Sequence, residues 1–167
     1  VLGHRLLDRF DDGIRLGGPG LALTALAAAR TPAAEHRARF AHPVARLREA
    51  QWLERHGATA AIDCSDGVAA DLAHIAAASG MRIVLDLDRL PRVAGATADD
   101  AARSGEEYEL IVTAPSSLDA AAFEREFSLP LTAIGHVEQN WTGATGLVCV
   151  SGGTPVLLPK GHDHFSS

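Results

Sequence analysis

Ala58-Thr59-Ala60-Ala61-Ile62-Asp63-Cys64-Ser65-Asp66-Gly67, running on into Val68-Ala69-Ala70-Asp71-Leu72-Ala73-His74-Ile75-Ala76-Ala77-Ala78-Ser79, decides how this chain is read. Residues 58 to 63 are small and apolar up to a terminal carboxylate, which predicts a short buried strand. In the second half Val68, Leu72, Ile75 and Ala76 recur at helical spacing, so a helix over 67–79 carries one apolar face and Gly80 closes it. A strand that passes through one tight turn into a helix is a unit of mixed α and β architecture.

The pattern continues on both sides. Arg82 to Asp88 alternates, with Ile83, Leu85 and Leu87 on one face and Arg82, Asp86 and Asp88 on the other, the signature of a half-buried strand. Beyond it the sequence predicts a helix over 98–103, a strand over 108–113, and a helix over 116–127 capped by Ser116 or Ser117. Strands follow at 131–137 and 146–150, and Gly152-Gly153 turns the chain into a hairpin partner at 155–158. Upstream, Val44, Leu47, Trp52 and Leu53 mark a helix over 43–56, with Pro43 in its first turn and Gly57 as its stop. Leu21 to Arg30 is rich in helix formers and ends at Thr31-Pro32. Before that, Leu2, Leu6, Leu7 and Phe10 suggest one or two amphipathic turns broken at Asp11-Asp12-Gly13. The loop Gly17-Gly18-Pro19-Gly20 lacks the Lys-Ser/Thr of a phosphate-binding loop. The expected fold class is α/β (α+β), with helices packed on a mixed sheet.

Composition narrows the function. Fifteen Lys and Arg against 21 Asp and Glu give a net charge of −6 over 167 residues, with a pI near 5.7. No dense basic cluster offsets this field, so nucleic acid is not an expected partner. A chain of this length buries roughly two-thirds of its unfolded surface and needs no staple to fold. Cys64 and Cys149 form no disulfide framework, and no apolar run is long enough to span a membrane, so a cytoplasmic location is expected. The chain starts at Val1 rather than Met, which reads as a piece of a longer protein.

Three segments carry chemistry. In the turn 63–67, Asp63 and Asp66 are placed to converge on one hard cation, since Mg²⁺ takes carboxylate oxygens and keeps waters. Ser65 and the Gly67 amide, at a helix N-terminus, suit a phosphate. Helix capping alone accounts for one of these residues, not for all of them. The second segment is Gly105-Glu106-Glu107-Tyr108-Glu109-Leu110, whose three carboxylates in four residues repel one another. Taken by itself it reads as a solvated turn at Glu106 and Glu107, with Glu109 facing water on an edge strand. The third is the tail Lys160-Gly161-His162-Asp163-His164-Phe165, which by itself reads as a solvated tail docked by Phe165. Cys64 has neutral and acidic neighbours that keep a thiol protonated, so it is not read as a nucleophile.

Together, Ile-Asp-x-Ser-Asp-Gly at 62–67 with Asp71-Leu72 and His74-Ile75 after it, Gly-Glu-x-Tyr-Glu-Leu at 105–110, and Gly-x-Asp-His-Phe at 161–165 resemble the thiamine-monophosphate kinase family. That family sits within the aminoimidazole-ribonucleotide-synthetase-like ATP-using superfamily. The likeness spans residues 42–167 as its C-terminal domain; residues 1–41, an arm and the first helix, match poorly. The resemblance implies transfer of the ATP γ-phosphate to thiamine monophosphate, with Mg²⁺ as cofactor. It implies Mg²⁺ at Asp63 and Asp66, ATP at Ser65, and the thiamine substrate at Glu106 and His162. It also implies an N-terminal ATP- and Mg²⁺-binding half absent from this chain, through which the intact protein dimerises. His162 stands where the family has Tyr or Trp, and Glu107 where it has Asp. The alternatives are another ATP-dependent enzyme of the superfamily and a non-catalytic thiamine-phosphate or nucleotide binding module.

Overall fold

The computed structural model describes residues 4–9, 31, 34–138 and 143–157. In chain order the elements are β1 (His4–Arg9), α1 (Ala34–Ala41), α2 (Leu47–Arg55), β2 (Ala60–Asp63), α3 (Val68–Ser79), β3 (Arg82–Asp86), a 3-10 turn (Leu87–Arg89), α4 (Ala98–Arg103), β4 (Leu110–Pro115), α5 (Ala120–Phe127), β5 (Leu131–Glu138), β6 (Gly146–Ser151) and β7 (Thr154–Val156). The strands form one sheet in the order β2-β4-β1-β5-β3-β6-β7. Among the described strands only β3 and β6 run parallel; the other pairs are antiparallel. The expected mixed sheet is therefore present.

Alternation along the strands builds two cores. Ile111 of β4 faces α3 and α4, joining Val68, Leu72, Ile83 and Leu85. Leu110, Val112 and Ala114 face the other way, toward Leu53 and Phe123. Helices thus cover both faces of the sheet, and β4, buried on both, is a continuous apolar run. Side chains such as Leu72, Leu85 and Phe123, fully buried, each contribute on the order of 2 kcal/mol. Helix α3 buries Val68, Leu72, Ile75 and Ala76, the face expected from spacing. Gly80 ends it at φ 62°, in the left-handed region that glycine favours.

Several expectations are corrected. His4–Arg9 is not a helical turn but a strand between β4 and β5, because both neighbours supply antiparallel ladders to it. Helix α1 was not anticipated, and α2 begins at Leu47, so Pro43 precedes the helix rather than occupying its first turn. Strand β2 is not buried: it lies at the sheet edge and alternates between half-buried and exposed positions. Strand β3 gives way to the 3-10 turn at Leu87, where Asp86 caps the turn by accepting from Asp88 N. The cap of α5 is Asp119, which accepts from Ala122 N at 2.9 Å, not Ser116 or Ser117. The region 108–113 becomes strand only from Leu110. The helix expected over 21–30 lies outside the described residues.

Candidate functional site

The edge position of β2 is what presents the turn after it. Asp63 ends the strand exposed, Cys64 drops into the core with no exposure, and Asp66 is exposed again. Gly67 then starts α3 at φ 109°, ψ 145°, a conformation essentially reserved for glycine. A Cβ there would meet the Arg103 backbone at 2.9 Å. Helix α3 opens with no side-chain cap, so neither Ser65 nor Asp66 serves as a helix cap.

Asp71, one turn into α3, fixes this geometry from below. Its Oδ2 accepts the amides of Ser65 at 3.1 Å and Asp66 at 3.3 Å, and it is 1% exposed. Burial pushes its carboxyl up to about 6; the nearby Asp66 and Asp63 carboxylates push the same way, and the two amides oppose them. Sequence reasoning gave Asp71 no role, although an acid on the apolar face of α3 was a signal that something polar lay beneath the turn.

The second motif packs directly on the first. Cys64 N donates to Glu109 O at 2.7 Å, Tyr108 N to Cys64 O at 2.8 Å, and Glu106 N to Ser65 O at 2.9 Å. Gly105 permits this approach, since a Cβ there would lie 2.6 Å from Ser65 O. Glu107 and Glu109 are 2% and 1% exposed, so the expected solvated turn and water-facing Glu109 are both corrected. Glu107 accepts from Ser104 Oγ at 2.7 Å, and Glu109 is held by Arg46. Glu106 and Tyr108 alternate outward, and the Tyr108 hydroxyl donates to Glu106 Oε2 at 2.8 Å. That bond holds the Tyr108 hydroxyl above its ordinary pKa. Arg46 gave no sequence signal at all, because its partner is far away along the chain.

Asp63, Ser65, Asp66 and Glu106 are therefore gathered on one turn-and-loop unit; His162 lies outside the described residues. Beside the unit is a cleft of about 390 Å³ whose walls include Val44, Leu47, Asp63 and Tyr108. Among the described residues no group of three or more His, Cys, Asp or Glu side chains converges on one point. Asp63 and Asp66 are both exposed carboxylates, the donor type that a hard dication such as Mg²⁺ takes alongside water and phosphate oxygens.

The pattern of the family described as AIR synthase related protein, C-terminal domain, matches residues 12–147. The chain belongs to this family. Among AIR-synthase-related relatives, the thiamine-monophosphate kinase of Salmonella typhimurium (strain LT2) is 37% identical over 142 residues, covering 77% of this chain and 42% of that protein. The crystal structure of thiamine-monophosphate kinase from Stenotrophomonas maltophilia K279a superposes with a TM-score of 0.75 at 30% identity, over 89% of this chain and 50% of that one. AaThiL complexed with AMPPCP and TMP gives a TM-score of 0.76 at 27% identity, over 99% of this chain and 52% of that one. The chain thus spans about half the length of the proteins it matches. No described helix is long and apolar enough to cross a membrane.

Proposed function

We propose that this chain is the C-terminal part of a thiamine-monophosphate kinase, and that it holds the acceptor and one side of a metal–phosphate cluster. The observation that carries the reading is the bond from Glu106 N to Ser65 O, which seats the Gly-Glu-x-Tyr-Glu-Leu loop on the Asp-x-Ser-Asp-Gly turn. Two motifs distant in sequence thereby become one site, beside a helix N-terminus that carries no side-chain cap.

In this reading Asp63 and Asp66 hold Mg²⁺, Ser65 donates to a phosphate oxygen of ATP, and Glu106 orients the thiamine end of the acceptor. His162 is assigned to the same substrate. Mg²⁺, when bound, supplies the charge neutralisation that lets two polyanions approach and supports in-line displacement. An oxygen of the acceptor's phosphate forms a bond to the γ-phosphorus. The bond from that phosphorus to the β–γ bridging oxygen breaks, and ADP leaves with the electron pair. The nucleophile is already an anion, so no side chain has to remove a proton, and the carboxylates are free to serve as ligands. The chain spans 42% of the Salmonella protein, so these residues are assigned binding and orientation. Turnover is expected of a chain that also carries the rest of that length.

Amide NMR of this chain during addition of thiamine monophosphate tests the reading. Shifts confined to 63–67 and 105–109, strengthened by Mg²⁺ and losing that enhancement in Asp63→Asn, are expected. Absence of shifts at both segments under millimolar ligand and Mg²⁺ rejects it.

A further inference from the structure

The strained part of the site is the loop, not the turn. Glu106 and Tyr108 are non-glycine residues at φ 64° and 51°, left-handed values that persist only where the surroundings over-determine them. Glu107 between them is anchored inward on Ser104. At the end of the loop, Arg46 grips Glu109 with two parallel bonds, Nε to Oε2 at 3.2 Å and Nη2 to Oε1 at 2.9 Å. The two side chains are 8% and 1% exposed. The Arg46 backbone is itself held, since its carbonyl accepts from Ala50 N at 2.9 Å at the start of α2.

A buried ion pair is a poor source of stability, because desolvation offsets most of the attraction. It is a good source of geometry, because a guanidinium fork accepts a carboxylate in one plane and one orientation. From Glu109 the constraint passes along bonds already described. Glu109 O holds Cys64 N, Tyr108 N holds Cys64 O, Glu106 N holds Ser65 O, and the Tyr108 hydroxyl holds the Glu106 carboxylate.

We propose that the Arg46–Glu109 pair is a positioning device that locks Glu106 and Tyr108 in their left-handed conformations and so presents the Glu106 carboxylate to the acceptor. The identity of that acceptor rests on the function proposed above; the locking does not. Arg46 and Glu109 act through Glu106 and Tyr108 rather than on the reacting atoms.

The test uses the full 167-residue chain with Arg46→Lys, which keeps the charge and loses the fork, and with the double variant Arg46→Met/Glu109→Gln, which removes both charges of the pair together. Left-handed residues give a strong intraresidue amide–Hα NOE. The expected result is a folded spectrum in which that NOE weakens at Glu106 and Tyr108, and thiamine monophosphate binds about tenfold more weakly. Mn²⁺ broadening at Asp63 and Asp66 is expected to stay as in the parent chain, which a merely structural lesion would not spare. Retention of both NOEs in both variants overturns the proposal. Loss of the fold in both also overturns it, in favour of a global structural role. If the parent chain ignores thiamine monophosphate, the functional reading fails while the NOE result still decides the lock.

Discussion

The turn at 63–67 and the loop at 105–109 meet across three backbone hydrogen bonds, yet they carry their unusual backbone in opposite ways. The turn assigns its forbidden conformation to Gly67 at φ 109° and otherwise relies on Asp71 for two amide contacts. The loop assigns left-handed conformations to Glu106 and Tyr108 and is held by buried carboxylates at 107 and 109. Glycine carries such a conformation at little steric cost, whereas Glu and Tyr carry it only under external constraint. A turn made with glycine is fixed by local chemistry; a loop made against preference is fixed by its tertiary partners.

The largest expected effect removes that external constraint. Glu109→Ala takes the Glu109 carboxylate away from the buried Arg46 guanidinium and is expected to cost about 4 kcal/mol in urea unfolding; a loss below about 1 kcal/mol would mean water reaches the pair. Next is the glycine side of the comparison. Gly67→Ala places a Cβ 2.9 Å from the Arg103 backbone at a φ that alanine avoids and is expected to cost about 3 kcal/mol. An unchanged urea midpoint would show that the turn can move away from α4.

A smaller change of opposite sign sharpens the contrast. Glu106→Asn puts a residue that tolerates the left-handed region where Glu is strained, and is expected to stabilise the chain by roughly 0.5 kcal/mol. It should at the same time abolish the thiamine monophosphate shifts, as expected where strain is kept for binding. Destabilisation by this substitution would argue that the Tyr108–Glu106 bond outweighs the backbone strain.

The smallest effect lies remote from both segments. Asp88 accepts from Gly152 N at 2.6 Å and Ser151 Oγ at 2.9 Å, and these two bonds hold its carboxyl below the ordinary 3.8. A folded-state value below the unfolded one contributes stability that is present above pH 3.8 and lost as pH falls through the lower value. Protection of the Gly152 amide, taken relative to its intrinsic exchange rate at each pH, should therefore fall as the pH drops below 3.8 in the parent chain. In Asp88→Asn it should show a flatter profile, and identical profiles would remove Asp88 from the hairpin's support.

What was legible in the sequence was local. The apolar face of α3, the glycine stops at Gly57 and Gly80, and the Gly152-Gly153 turn all follow from spacing and backbone preference within a few residues. The grouping of Asp63, Ser65 and Asp66 after a strand was legible for the same reason. Glu107 and Glu109 were misread as solvated because three neighbouring carboxylates repel in water. Their burial depends on Ser104 and Arg46, donors that no local pattern announces.

By itself, then, the sequence determined the elements whose period or glycine punctuation sets the backbone, together with the carboxylates and hydroxyl of the turn. The tertiary structure alone decided that His4–Arg9 lies in the middle of the sheet, that β2 lies at its edge and exposes Asp63, and that Arg46 reaches Glu109. Each of these is a pairing between segments far apart along the chain, and such a pairing is chosen by the ladder or charge that satisfies it, not by the residues on one side.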